Sequence, residues 1–369
     1  MLYIRVSILT EPIISTDVYG EIAIQLATYL AQDKDYKVHI LPLQYGPTKN
    51  ILLNGVYIVG LNEGIHGAEA LSSFLSLSKP DVLITMCMPQ SLPKLDGKAV
   101  RWIAVYDSID SPFLDGVPEE ADAIVTNTKY IKRKLKEELF LDTHYIPATI
   151  EGVYAKEDIA KARKSLGLPV EPFYLGVLSS NLMYEQIPTV VMAFSMAFQN
   201  TPIKLSFLCA PYRSNGTMIP EVCKLFKVLD QTTFLMYSDE FTPSQMVIKA
   251  WLNSCNIVCT ASTGSIDYRL ALQAMATGRP IIYNGGNSIL KEVIGDAGLP
   301  IKSNMFFRDI WYRKRWCADP VAMKEAMVEL YNNSKLREEL SSKAMDRYRD
   351  YSPAVVLPKW KRLIEEVVS

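Results

Sequence analysis

Residues 260–298 read TASTGSIDYRLALQAMATGRPIIYNGGNSILKEVIGDAG, and this stretch decides how the rest of the chain is understood. The run before it, Asn256, Ile257, Val258, Cys259 and Thr260, has the β-branched content of a buried strand. It empties into small polar residues, Ser262, Thr263, Gly264 and Ser265. Leu270, Ala271, Ala274 and Met275 then recur at helical spacing, and Thr277-Gly278 ends the helix. Arg279-Pro280 leads into a second strand, Ile281, Ile282 and Tyr283. A unit of this kind opens a helix N-terminus beside the end of a buried strand, where free backbone N–H groups suit a phosphate. Ser265 and Gln273 lie eight residues apart, about two helical turns, so both are expected to face one ligand.

The same alternation runs through the whole chain. Residues 1–9 form an apolar strand, a helix follows with Ile22, Ala23, Leu26, Ala27 and Leu30 on one face, and residues 37–41 are the next strand. Residues 51–59 read as a hairpin around Asn54-Gly55. Further strands are expected at 81–86, 101–106, 121–126, 173–178 and 204–209, with helices between them. Strand and helix in alternation predict an α/β fold with parallel sheets. The 369 residues suffice for two domains, and a 49% hydrophobic content is enough to give each a core.

Composition narrows the function class. A formal net charge of −1 argues against a general nucleic-acid binder. No apolar run approaches membrane-spanning length, and the first residues lack the basic start and cleavage site of a signal peptide. The six cysteines, at 87, 209, 223, 255, 259 and 317, are scattered in apolar surroundings and read as buried thiols. Cys255 and Cys259 are four apart, but no second Cys or His pair accompanies them, so no zinc site is expected. These features point to a cytoplasmic protein.

Four segments carry a family resemblance: QAMATGRPII at 273–282, EVIGDAGL at 292–299, ADAIVTNT at 121–128 and YIPATIE at 145–151. They resemble the GT-B glycosyltransferases, and within them the retaining "group 1" family that uses nucleotide-sugar donors. The resemblance covers most of the chain and is strongest over 121–169 and 256–342. It implies a GT-B architecture, α/β with two doubly wound parallel-sheet domains facing a cleft. Residues 1–168 would be the acceptor-side domain and 169–350 the nucleotide-sugar-binding domain. Residues 351–369 would be a terminal helix returning to the first domain. The implied activity is sugar transfer to a sugar, protein or lipid-linked acceptor. It implies retention of configuration, no metal or other cofactor beyond the nucleotide-sugar co-substrate, no nucleic-acid partner, and a cytoplasmic location with peripheral membrane contact left open.

The resemblance assigns donor-site roles to Gly264, Ser265, the N–H groups of Asp267 and Tyr268, and Gln273, which would hydrogen-bond the ribose. Gly20 would let the first loop approach the donor; a tight turn before a helix is the alternative reading of that glycine. Tyr237 would flank the nucleobase or serve as a half-buried surface aromatic. Asp107, beyond the end of a strand, would orient sugar hydroxyls or act as a turn-former. The sequence also departs from the family pattern. Ser265 and Gln273 stand where the family has glutamates, Val177 stands in an arginine slot, and residues 179–185 contain no lysine. Arg213, after the strand at 204–209, is the best substitute for the missing positive charge that a leaving diphosphate needs. Its alternative reading is a solvent-exposed loop arginine. The aromatic and basic run FFRDIWYRKRW at 306–316 suits either an acceptor contact or a surface loop packed by its own tryptophans. The departures motivate a second hypothesis, a catalytically degenerate GT-B binding or scaffolding protein, and a weaker third, nucleotide-sugar epimerisation.

Overall fold

The computed structural model describes residues 3–11, 18–43, 47, 49–60, 67–87, 100–106, 116–213, 215–235, 243–264, 268–309 and 314–369. The chain divides into two compact units. One takes in Met1–Ser108, Phe113–Thr149 and Pro353–Ser369, and the other Ile109–Pro112 and Ile150–Ser352.

Unit 1 begins with β1 (Ile4–Thr10), α1 (Val18–Ala31), β2 (Tyr36–Pro42), β3 (Ile51–Leu53) and β4 (Val56–Ile58). It continues with α2 (Gly67–Ser78), β5 (Val82–Met86), β6 (Arg101–Val105), β7 (Ala123–Thr126), α3 (Lys129–Leu139) and β8 (His144–Tyr145). The sheet order is β3-β4-β2-β1-β5-β6-β7-β8. Every pair is parallel except β3–β4, a hairpin whose turn places Asn54 at φ 49° and Gly55 at φ 82°. Both residues thus take the positive φ of a type I′ turn, which Asn-Gly favours. β5 is buried along its whole length, as expected of a central parallel strand covered on both faces. Ile22, Ala23, Leu26, Ala27 and Leu30 form the buried stripe of α1, each at most 4% exposed. Thr128 caps α3 by accepting from the Ile131 N–H at 3.1 Å.

Unit 2 contains α4 (Ile159–Ser165), β9 (Tyr174–Val177), α5 (Ile187–Phe198), β10 (Lys204–Phe207), α6 (Ile219–Leu225), β11 (Thr232–Phe234) and α7 (Gln245–Ser254). After these come β12 (Ile257–Thr260), α8 (Arg269–Ala276), β13 (Ile281–Asn284), α9 (Ser288–Ile294), β14 (Gly298–Ile301), β15 (Met305–Arg308), β16 (Lys314–Cys317), α10 (Pro320–Asn332) and α11 (Ser334–Tyr348). Its main sheet runs β11-β10-β9-β12-β13-β14, all parallel. Val190, Phe194, Leu205, Phe207, Met323 and Met327 belong to one core cluster. β15 and β16 pair antiparallel, so the run at 306–316 includes both strands of a small hairpin rather than a plain loop.

The last helix, α12 (Pro353–Val368), packs in unit 1. Trp360, Leu363 and Ile364 are buried on its inner face. Tyr36 donates its hydroxyl to Glu365 at 3.0 Å, and Lys361 pairs with Asp33 at 2.7 Å. α12 therefore returns to the first domain, as expected, with Pro358 inside the helix.

Residues 150–168, placed from sequence at the end of the first domain, pack within unit 2. The cause is Arg163 of α4, a buried guanidinium that donates to the Ser254 carbonyl at 2.9 Å and to Asn256 Oδ1 at 2.7 Å. Residues 320–348 form two helices. Asn333 separates α10 from α11, and its side chain accepts from the Leu336 N–H at 3.0 Å to start the second. Among the described residues no helix is long and apolar enough to cross a membrane.

Candidate functional site

In an open parallel sheet, ligands gather beyond the carboxyl ends of the strands where the strand order reverses. In unit 2 that point lies between β9 and β12. The Leu178 N–H donates to the Cys259 carbonyl at 2.9 Å, which holds the two exits side by side. The segment leaving β9 folds on its own side chains. Glu185 Oε2 accepts from the Ser179 hydroxyl, from the Ser180 N–H at 2.7 Å and from the Leu182 N–H at 3.2 Å. Asn181 is fully buried and donates to the Ala210 and Thr217 carbonyls at 2.8 and 2.9 Å. It accepts from the Thr217 N–H at 2.8 Å, which ties this segment to the loop after β10. Gly216 makes that contact possible, because a Cβ there would lie 2.1 Å from the Asn181 carbonyl oxygen. Arg213, in the same loop, donates to the Ser180 carbonyl at 2.7 Å.

The segment leaving β12 is Ala261, Ser262, Thr263 and Gly264. Thr263 donates both its N–H and its hydroxyl to the Tyr184 carbonyl, each at 2.9 Å. The Ser262 carbonyl accepts from the side-chain amides of Asn284 and Asn287 at 3.1 and 3.2 Å. Asn284, at the end of β13, also donates to the Trp316 carbonyl at 2.7 Å and accepts from the Gly286 N–H at 3.0 Å. One fully buried amide thus joins the β12 exit, the β13 exit and the hairpin. From β16, the 2%-exposed Arg315 donates to the Gly264 carbonyl at 2.9 Å and pairs with Asp309 at 3.0 Å.

Two polar atoms in this shell are left over. Ser262 Oγ and Gln273 Oε1 are buried and have no hydrogen-bond partner among the described residues. Buried polar atoms are nearly always paired, so two such atoms on the loop and helix beyond one strand suggest a ligand that supplies the partners. Gln273 lies on α8, whose N-cap residue, Tyr268, contributes no side-chain hydrogen bond to the helix end.

The structure brings four of the expected site residues to this part of unit 2: Arg213, Gly264, Tyr268 and Gln273. Arg213 is half-buried and bonded rather than a free loop cation. The Tyr268 side chain is 2% exposed and meets Tyr351 edge-on at 6.4 Å between ring centroids. Gly20 is in unit 1, buried within the first turn of α1 rather than in a loop before the helix. Asp107, Tyr237, Ser265 and Asp267 lie outside the described residues. α8 begins at Arg269, and the expected spacing between Ser265 and Gln273 falls partly outside the described residues.

Sequence reasoning missed the roles of Glu185, Arg315 and the three asparagines. The Asn-Gly-Gly-Asn run at 284–287 was a usable signal for a braced turn. The thiols nearby are inert. Burial pushes Cys255 up to about 12 and raises Cys259 as well, so neither is a nucleophile at neutral pH.

No family model matches this sequence, and no curated protein matches it either. Solved structures do resemble it. A sucrose-phosphate synthase from Thermosynechococcus elongatus superposes with a TM-score of 0.74 at 15% identity, over 99% of both chains. A glycosyltransferase from Rickettsia africae gives 0.74 at 12% identity, again over 99% of each chain. HepE from Anabaena, solved with UDP and glucose, gives 0.73 at 11% identity, over 99% of this chain and 100% of its own. The fold is that of the GT-B glycosyltransferases.

Proposed function

We propose that this protein transfers a sugar from a nucleotide-sugar donor to a hydroxyl-bearing acceptor, with the donor held at the β9/β12 exits of unit 2. The observation that carries the reading is the pair of buried atoms there with no partner among the described residues, Ser262 Oγ and Gln273 Oε1. A carbonyl-type oxygen such as Gln273 Oε1 only accepts, so its missing partner is a donor such as a ribose or sugar hydroxyl. The likeness to glycosyltransferase folds, one of them solved with UDP and glucose, supports the same choice of ligand.

In the proposed reaction the donor's leaving phosphate oxygen and the incoming hydroxyl share one face of the sugar, and configuration is retained. The chain then needs no side-chain nucleophile. Its task is to orient the two substrates and to offset the charge that develops on the leaving phosphate. Gln273 and Ser262 would orient the donor hydroxyls, and the N–H groups at the start of α8, including that of Tyr268, would face the phosphate. Arg213 and Arg315 each reach these loops through a hydrogen bond to a loop carbonyl. Asp107 and Tyr237 keep their proposed roles in orienting hydroxyls and flanking the base. The reaction is proposed to proceed without a metal, so activity should survive a chelator.

The test is to incubate the protein with UDP-, GDP- and ADP-sugars while following melting temperature and nucleoside diphosphate release. Release that rises when a sugar, protein or lipid-linked acceptor is added supports transfer. Absence of a thermal shift with every donor would sink the reading. A second reading, a binding protein on this fold without turnover, is favoured by one observation: Arg315 already has an acid of the chain, Asp309, as its partner. Nucleotide binding without release under any acceptor would favour it.

A further inference from the structure

The segment that leaves β9 already holds an anion, and that anion belongs to the chain. Three donors, the Ser179 hydroxyl and the N–H groups of Ser180 and Leu182, converge on the single oxygen Glu185 Oε2. Convergent N–H groups of this kind form a nest that accepts a phosphate oxygen as readily as a carboxylate. The nest stands at the point of the sheet where a ligand is expected. It is also fastened to the other half of the site, because the residue before Glu185, Tyr184, accepts both hydrogen bonds from Thr263. Glu185 is 6% exposed and Ser179 equally so, which keeps the carboxylate in place.

The cations nearby are held by the chain as well. Arg213 donates to the carbonyl of Ser180, and the N–H of that same residue is bound by Glu185. Arg315 pairs with Asp309. Arg315 is thus offset by an acid from its own unit, and Arg213 is held on a residue whose N–H the Glu185 carboxylate already binds, so a diphosphate arriving here meets an acid beside the cations.

We propose that Glu185 is a specificity-determining residue of this site, whose carboxylate occupies the phosphate nest and lowers the affinity for the diphosphate part of a donor. The proposal rests on the donor-site reading above. Its consequence is unusual in sign: taking this side chain's charge away strengthens nucleotide binding. Recognition in the unaltered protein then comes from the nucleoside and sugar hydroxyls, with the diphosphate contributing little.

Calorimetric titration tests this with UDP, GDP and ADP and the three matching nucleosides, on the unaltered protein and on Glu185→Gln. The glutamine keeps an oxygen to accept the same hydrogen bonds and removes one negative charge. The expected result is a nucleoside diphosphate bound about tenfold more tightly by Glu185→Gln, with the nucleoside bound equally by both proteins. In the unaltered protein the diphosphate should bind within about tenfold of its nucleoside, a comparison that needs no variant. A diphosphate bound a hundredfold or more tightly than its nucleoside by the unaltered protein would overturn the proposal. So would an affinity left unchanged or weakened in a folded Glu185→Gln, which would make Glu185 a structural cap. If the unaltered protein binds neither nucleosides nor diphosphates, the donor-site reading fails first and takes this proposal with it.

Discussion

The two large sheets reverse their strand order in the same way, between β1 and β5 in unit 1 and between β9 and β12 in unit 2, yet they brace the exits differently. In unit 1 the described bonds at that point join main-chain groups. The Glu11 N–H donates to the Met86 carbonyl at 3.3 Å and the Leu43 N–H to the Thr10 carbonyl at 2.7 Å. Around them Thr10 is fully buried with no partner for its hydroxyl among the described residues, and burial pushes the Cys87 thiol up to about 12. In unit 2 side chains add to the main-chain bonds at the exits: Asn181, Asn284 and Asn287 bridge neighbouring loops, and Glu185 closes one on itself. A main-chain brace survives most substitutions. A brace of amides and one carboxylate fixes loop geometry to a few named residues, which suits a site that must hold polar atoms in set positions.

That contrast can be broken most directly at Asn284. Asn284→Ala removes four hydrogen bonds, those to Ser262, Trp316, Gly286 and Ser303, and should cost about 3 kcal/mol in urea unfolding. A loss below about 1 kcal/mol would mean that the side-chain brace is dispensable. A smaller effect is expected at Gln273, whose Oε1 makes no bond described within the chain. Gln273→Met keeps the volume and discards the unpaired oxygen, so stability should stay within about 1 kcal/mol of the parent. Donor binding should weaken about tenfold, measured by the thermal shift with nucleotide-sugars. A large loss of stability would instead give the amide a structural role. The smallest effect belongs to unit 1. Thr10→Val replaces an unpaired buried hydroxyl with a methyl of the same shape and should leave stability within about 0.5 kcal/mol by the same unfolding measurement. A clear drop there would show that unit 1 also relies on side-chain polar bonds.

The fold was legible because its signals are local. Central parallel strands are continuous apolar runs such as VLITM in β5, and the α1 stripe repeats at helical spacing. Asn54-Gly55 announced its own turn. The misread parts depend on partners far away in sequence. Residues 150–168 look like the tail of the first domain until Arg163 is seen to reach Ser254, 91 residues further on. The placement of the proposed site in the sheet was legible, and the bonding of its side chains less so. Gln273 was identified from its place on the helix after β12. Arg315 was read as part of an aromatic surface run because its acceptor, Gly264, is 51 residues away. Glu185 gave no signal because two of its partners are main-chain N–H groups, which every residue carries.

The return of α12 to unit 1 has a consequence for the order in which the protein is made. The described residues of unit 2 come from one stretch, Ile150–Ser352, whereas unit 1 is closed by a helix of 16 residues that follows that stretch in sequence. During synthesis the first-made half therefore waits with its α12-binding surface uncovered. The second-made half can complete its sheet without it. Tyr36 and Asp33 meet Glu365 and Lys361 only after the Ile150–Ser352 stretch of unit 2 has emerged, so this edge of unit 1 is sealed after that stretch is made.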